Sequence, residues 1–148
     1  FEIATTMTAM IRVDAPTVAV IVGEGGSGGS LAFAVGDRVL MQERAIYSVI
    51  APEGAAAILY RDASRAPELA ERLRITAADT RRLGISDGTI LEPAGNAKLD
   101  PAAAAVAVRQ AILLHLSELE RLPADRRRKS RFERYRKIGS QYITGERS

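Results

Sequence analysis

Short runs of β-branched residues alternate along the chain with stretches in which apolar residues recur at helical spacing. The run at residues 17–22 is almost continuously apolar, which is typical of a buried strand in a parallel sheet. The predicted strands are residues 17–22, 38–41, 45–50 and 89–93. The predicted helices are residues 2–12, 30–35, 51–60, 67–73, 77–83, 101–122 and 124–138. This alternation of strands and helices predicts an α/β fold.

Residues with strong terminus preferences mark the ends of several predicted helices. Asp100 followed by Pro101 is a typical N-cap and first helical residue, and Thr76 is a candidate N-cap for the helix after it. Gly84 and Gly139 each follow a predicted helix, where glycine commonly ends the helix in a left-handed conformation. These positions predict where four helix ends lie.

The composition is that of one globular domain: 148 residues, 47% hydrophobic and 26% charged. Because helical spacing is present from the first residues, we expect the chain to begin inside a helix and to be part of a longer polypeptide. The sequence has no cysteine, which excludes a disulfide framework, thiolate metal ligands and a thiol nucleophile and is compatible with a cytoplasmic location. We expect no metal site, and no membrane partner because no apolar run approaches about 18 residues.

The positive charge is concentrated at the C-terminal end. The chain has a net charge of +3, but residues 123–148 contain nine Lys and Arg against three Asp and Glu. We therefore divide the chain into residues 1–122 and a basic helix and tail at 123–148. Phe132, Tyr135 and Ile138 have helical spacing, which predicts an amphipathic helix packed on the body of the protein. A partner-docking face is the alternative, and we expect no nucleic-acid binding because no nucleic-acid-binding motif accompanies the charge.

A glycine-rich run, Gly-Glu-Gly-Gly-Ser-Gly-Gly-Ser at residues 23–30, directly follows the first predicted strand. As G-x-G-x-x-G it fits a dinucleotide-binding turn with Glu43 as the ribose ligand, although the helix at 30–35 is short for such a unit. As G-x-S-x-G around Ser27 it fits a nucleophile elbow, but His115 lies in the middle of a predicted helix. As glycines preceding a helix it fits a cradle of backbone N–H groups for an oxyanion.

Three segments resemble the carboxyltransferase alpha subunit of bacterial acetyl-CoA carboxylase. Residues 20–62 contain the Gly-Glu-Gly-Gly-Ser-Gly-Gly, Val-Gly-Asp, Tyr-Ser-Val-Ile and Pro-Glu-Gly motifs of that family, in its order. Residues 73–95 and the tail motif Arg-Phe-Glu-Arg-Tyr-Arg-Lys-Ile-Gly at 131–139 are also similar to it. The resemblance implies a crotonase-like or ClpP-like fold of repeated ββα units, incomplete at the N-terminus and followed by C-terminal helices.

The resemblance also implies an activity and its partners. That family transfers the carboxyl group of carboxybiotin, held on the biotin carboxyl carrier protein of an ATP-dependent complex, to acetyl-CoA. The product is malonyl-CoA for fatty acid synthesis. A beta subunit, or a fused beta half, provides the cradle for the acyl-CoA and the alpha part provides the cradle for biotin. We therefore expect a hetero- or homo-oligomer that needs the beta half and upstream residues for activity.

The resemblance assigns roles to residues of the glycine run and of a second helix start. The backbone oxyanion donors are those of Gly28, Gly29 and Ser30. The substrate-binding residues are Gly25, Gly26, Glu53 and Gly54. The sequence departs from the family at Ser30, which replaces an alanine and whose hydroxyl is a candidate cap for the helix, and at Ala55, which replaces a cysteine.

Two alternative functions remain at this point. Another crotonase-like acyl-CoA enzyme, a hydratase or isomerase, would need carboxylates for acid–base chemistry, and Glu24 and Glu53 are the candidates near the cradle. A Rossmann-type dinucleotide-binding module is the other alternative.

Overall fold

The computed structural model describes residues 2–140. Phe1, in the predicted segment 1–122, and residues 141–148, in the predicted segment 123–148, lie outside the described residues. The α-helices are α1 (Glu2–Arg12), α2 (Ser27–Phe33), α3 (Pro52–Tyr60), α4 (Ala66–Leu73), α5 (Ala77–Arg82), α6 (Pro101–Glu120) and α7 (Ala124–Lys137). The strands are β1 (Val18–Ile21), β2 (Glu24–Gly26), β3 (Arg38–Gln42), β4 (Ile46–Ser48) and β5 (Gly88–Ile90).

The strands form two small sheets, and every strand pairing within the sheets is parallel. One sheet has the order β1-β3-β5, with Val18 opposite Arg38 and Leu40 opposite Gly88. The other joins β2 to β4. Parallel strands require crossover connections, and helices supply several of them here. The predicted α/β class is confirmed.

The predicted helix starts at Thr76 and Asp100 are confirmed by the hydrogen bonds that form there. The side chain of Thr76 accepts the N–H of Asp79 at 3.2 Å, and that of Asp100 accepts the N–H of Ala103 at 2.9 Å. Each bond satisfies a donor in the first turn of its helix that has no partner within the helix.

Replacing Asp100 with alanine should lower the free energy of unfolding by about 1 kcal/mol, since the N–H of Ala103 loses its acceptor. Asn caps about as well as Asp, so Asp100→Asn is the matched control and should retain most of the stability. Urea unfolding of both variants measures the difference. Equal stability of the two variants would contradict the capping role.

The core is built around β3, the middle strand of the three-stranded sheet. Val39, Leu40 and Met41 are 2%, 1% and 0% exposed. A second apolar cluster, formed by Ala55, Ala56 and Leu69, joins α3 to α4. Because β3 is buried on both faces, its sequence has no polar alternation, as expected for a parallel strand covered by helices.

The glycine run differs from the prediction of a loop before a helix at residue 30. Its first part forms β2, and α2 already begins at Ser27. Glycine has a low intrinsic preference for strands and helices, so propensity gave no signal for either element. The backbone is held instead by pairing, since Glu24 lies opposite Ile46 in β4.

Helix α7 packs on the body as predicted, but only partly through the predicted residues. Phe132 is 53% and Ile138 is 39% exposed, and of the three predicted residues Tyr135 makes the polar contacts with the body. The side chains that the helix buries are Arg127 and Arg131. Arginine is buried here because backbone carbonyls at the ends of neighbouring helices accept its protons, including that of Leu119 at 3.1 Å from Arg127.

Helix α6 is long and apolar, yet it buries few of its residues. Ala104 and Leu119 are buried, whereas Val106, Leu113 and Leu114 are half exposed. Within residues 2–140 it is the one helix with the length and composition of a membrane span. One such helix is weak evidence for a membrane, because length and composition alone do not distinguish a membrane span.

Candidate functional site

Two helices start at the same edge of the β2–β4 sheet. Gly26, the last residue of β2, lies opposite Ser48, the last residue of β4, and the strands are parallel. Helix α2 follows β2 directly, and α3 begins four residues after β4. Both helix N-termini therefore leave the carboxyl edge of the sheet, where α/β proteins commonly bind ligands and where the helix ends carry partial positive charge.

The first turn of α2 provides backbone donors. Because the helix begins at Ser27, the N–H groups of Gly28 and Gly29 precede the first residue that can bond to an i−4 carbonyl within the helix. The hydroxyl of Ser30 donates to the carbonyl of Gly26 at 2.9 Å, and no side chain caps the helix. The expectation that the Ser30 hydroxyl caps α2 is therefore wrong.

Gly26 and Gly29 face open space. A Cβ built on Gly29 has no atom within 4 Å, and one built on Gly26 meets only the carbonyl oxygen of Ser48, at 4.0 Å. Both residues are exposed. The Cβ of a side chain at Gly29 would thus meet no atom of the described protein.

Gly25 and Gly28 have a different role, because neighbouring side chains pack directly on them. A Cβ on Gly25 would lie 2.9 Å from the Cγ2 of Ile21 and 3.0 Å from the Cδ2 of Tyr47. A Cβ on Gly28 would lie 2.8 Å from the Cδ1 of Ile3 in α1. These two glycines allow β2 and α2 to approach their neighbours closely.

The nucleophile elbow receives one supporting and one opposing observation. Ser27 has φ of 62°, a left-handed conformation that is uncommon for a residue with a side chain. Such strained residues concentrate at functional sites. His115, however, lies in α6 with its Nδ1 3.5 Å from a carboxylate oxygen of Glu118 and its Nε2 beside Gly88. The sequence has no other histidine, so Ser27 has no histidine base.

The dinucleotide interpretation is not supported by the position of Glu43. Its carboxylate accepts the N–H of Glu92 at 3.4 Å, next to β5. Helix α2 has only seven residues, whereas the helix of a dinucleotide-binding unit is longer.

Glu53 and Gly54 lie in the first turn of α3, as predicted. The Glu53 side chain is exposed, and its negative charge complements the positive end of the helix. A Cβ on Gly54 would lie 3.4 Å from the Cγ1 of Ile50, which is ordinary packing distance. Glu24, the other candidate carboxylate, is also exposed. Within residues 2–140 no three His, Cys, Asp or Glu side chains come together to hold a metal ion.

Residues far along the chain hold the other end of α2, and the sequence pattern gave no sign of this. The hydroxyl of Tyr135 accepts the N–H of Gly36 at 2.9 Å. It donates toward the carbonyl oxygens of Ala34 and Gly36, at 2.8 and 3.0 Å. Tyr135 thus contacts the residues that immediately follow the helix.

Asp37 and Arg131 form a buried, bidentate ion pair next to this contact. Nε and Nη2 of Arg131 lie 2.9 and 2.7 Å from the two carboxylate oxygens, and both side chains are almost fully buried. Thr17 donates its N–H and its hydroxyl to the same carboxylate. Burial alone would raise the pKa of Asp37, but these hydrogen bonds and the charge of Arg131 outweigh it and lower the pKa below its ordinary value.

The comparisons with known proteins agree with the resemblance. The family described as acetyl co-enzyme A carboxylase carboxyltransferase-like matches residues 1–139. An acetyl-coenzyme A carboxylase carboxyl transferase subunit alpha from a Cyanothece species is 45% identical over 93% of this chain and 42% of its own length. A protein named subunits beta/alpha of the same enzyme, from Salinispora tropica, is 53% identical over 93% of this chain and 25% of its own length. The chain thus spans less than half the length of these relatives.

The fold is also that of solved carboxyltransferase-like structures. A malonate decarboxylase hetero-tetramer from Pseudomonas, in complex with coenzyme A, contains a chain that superposes with a TM-score of 0.70 at 18% identity, covering 96% of this chain and 54% of its own. The predicted crotonase-like fold is confirmed, and the comparisons favour neither the hydratase nor the dinucleotide alternative. With the family match over nearly the whole sequence, the chain belongs to the acetyl-coenzyme A carboxylase carboxyltransferase-like family.

Proposed function

We propose that this chain forms part of the biotin-side half of a carboxyltransferase that converts acetyl-CoA to malonyl-CoA, or a related acyl-CoA to the corresponding carboxylated acyl-CoA. When bound, carboxybiotin supplies the carboxyl group. The chain's own contribution is electrostatic: backbone N–H groups at the start of α2 bind the oxygen on which negative charge develops. We assign the donors to the backbone N–H groups of Gly28, Gly29 and Ser30.

One observation carries this assignment: the space around the Cβ position of Gly29 is open, whereas neighbouring side chains pack directly on Gly25 and Gly28. If the glycine run served only to form a tight turn, Gly29 could be replaced by a residue with a side chain, because no neighbouring atom would obstruct it. Donors fixed in a helix need no reorganisation as charge develops, which is the condition for strong transition-state stabilisation. Gly25 and Gly26 set the approach to the donors, and Glu53 and Gly54 form the neighbouring helix start at the same sheet edge.

The partners follow from the same proposal. Relatives named as an alpha subunit and as a beta/alpha fusion support a second, beta-type half that completes the active enzyme. We further propose that the biotin carboxyl carrier protein delivers biotin to this half, that acetyl-CoA binds mainly to the beta half, and that the complex is cytoplasmic.

The test is a reverse-transfer assay with the full-length protein that contains this chain and its beta-type half. Together they should convert malonyl-CoA to acetyl-CoA in a reaction that depends on a biotin derivative as carboxyl acceptor, and either half alone should be inactive. Hydration of an enoyl-CoA by the complex, without biotin-dependent transfer, would contradict the proposal and favour the hydratase alternative.

A further inference from the structure

Two motifs that are distant in the sequence meet at the C-terminal end of α2. The first is Val35-Gly36-Asp37, and the second is the tail motif at residues 131–139. Tyr135 binds the backbone of Gly36, and Arg131 binds the side chain of Asp37. Neither motif contributes an atom to the proposed cradle, so the cradle itself does not explain why the two motifs contact each other.

From this conjunction we infer that Tyr135 is a positioning residue, which holds α2 so that its glycine-rich N-terminus stays aimed at the developing negative charge. The inference rests on the proposed function of that N-terminus. By this inference the basic C-terminal helix α7 supports the carboxyl-transfer site, although α7 itself touches neither substrate nor cofactor.

The geometry supports this because α2 is short. Its seven residues make about two turns, roughly 10 Å of helix. A short helix moves as one body, so a displacement at Ala34 is transmitted to Gly28 and Gly29. Misplacement of a catalytic group by about 1 Å can cost on the order of 10²-fold in rate.

The end of α2 also lacks the usual means of fixing a helix terminus. Its C-cap, Ala34, is neither glycine nor left-handed, having φ of −82° and ψ of 1°. The Tyr135 hydroxyl takes the place of such a cap. It accepts the N–H of Gly36 and donates toward the carbonyl oxygens of Ala34 and Gly36. Burial raises the pKa of Tyr135, so its hydroxyl stays protonated and able to donate at neutral pH.

The salt bridge beside Tyr135 fixes the chain immediately after this point. Arg131 also donates to the carbonyls of Met10 and Val13 at the end of α1, at 2.7 and 2.9 Å. Helix α1 in turn packs on Gly28 through Ile3. Helix α7 therefore supports α2 at its C-terminal end directly and at its N-terminal end through α1.

The test is Tyr135→Phe in the complete complex, which keeps the ring and removes the hydroxyl. We expect kcat for carboxyl transfer to fall by about tenfold or more while the KM for the acyl-CoA stays unchanged. The matched control is Tyr60→Phe, which removes a hydroxyl that accepts one exposed hydrogen bond from Arg72 and should leave kcat unchanged.

Amide hydrogen exchange gives a second readout that does not depend on activity. In the Tyr135→Phe protein, amides of α2 should exchange faster while those of β3 remain protected. Unchanged exchange in α2, or faster exchange throughout the protein, would overturn the inference, as would a kcat equal to that of the wild type. If the wild-type complex transfers no carboxyl group at all, the proposed function fails, and the exchange result still decides whether Tyr135 holds α2.

Discussion

Replacing Arg131 with methionine should lower the free energy of unfolding by about 3–5 kcal/mol, the usual cost of removing one partner from a buried ion pair. The Arg131 side chain is 0% exposed and that of Asp37 is 3% exposed, so water cannot replace the lost guanidinium. The variant would also leave the carbonyls of Met10 and Val13 without their donor. Urea unfolding at neutral pH measures the loss.

The pH dependence of this loss has a definite sign. In the wild type the folded-state pKa of Asp37 is lowered. Its stabilisation is therefore complete above the unfolded-state value of about 4 and is lost as the pH falls through the lower folded value. Without Arg131, the hydrogen bonds from Thr17 alone oppose the effect of burial, so the pKa of Asp37 is higher than in the wild type and acidification costs less stability at this site. The difference in stability between the two proteins should therefore narrow as the pH is lowered below about 4.

Arg128→Met is the matched control on the same helix. Arg128 pairs with Asp14 and Asp125 at the surface, where its side chain is 40% exposed. Exposed ion pairs contribute about 0–1 kcal/mol, so this variant should unfold almost as the wild type does. An Arg131→Met protein as stable as the Arg128→Met protein would show that the buried pair does not hold α7 to the body.

Gly29→Val should reduce biotin-dependent carboxyl transfer by about 10²-fold or more, the effect of losing an oxyanion donor, while the protein remains folded. The new side chain meets no atom of the described protein within 4 Å of its Cβ. Its methyl groups would occupy the space where the oxyanion is proposed to lie. The reverse-transfer assay measures the activity, and circular dichroism checks the fold.

A valine elsewhere in α2 separates obstruction from a weaker helix. Phe33 is 72% exposed at the opposite end of the helix, and Phe33→Val introduces the same β-branched side chain there. This control should retain transfer. Normal turnover of the Gly29→Val complex would rule out the N-terminus of α2 as the cradle.

Much of the fold could be predicted because burial and chain termination leave clear signals. The continuous apolar run at residues 17–22 indicated a buried strand, and β1 lies there, although Ile21 is its one buried residue and Val22 is 61% exposed. Asp100 and Thr76 indicated helix starts because their side chains bond to backbone N–H groups three residues later, a local interaction that spacing reveals. At these two helix starts the structure follows from neighbours in the sequence, and the prediction is confirmed.

What could not be predicted depends on partners that are distant in the sequence. Strand β2 exists because β4 pairs with it, and glycine carries no preference that would indicate this. The positive charge of residues 123–148 gave no sign that Arg131 is buried, since arginine is rarely buried without a partner and its partner Asp37 is 94 residues away. The packing of Gly25 and Gly28, as against the open space at Gly29, likewise appears only in three dimensions.

The long separation between Asp37 and Arg131 has a consequence for the order of folding. During synthesis β3 leaves the ribosome before α7, so Asp37 is at first hydrated and without its cation. Closing a loop of this length has an entropic cost that only the finished contacts offset. Docking of α7 would then be a late event that expels water from Asp37. Interactions that form late mainly slow unfolding rather than speed folding, so the basic helix would govern the lifetime of the folded chain more than the rate at which it folds.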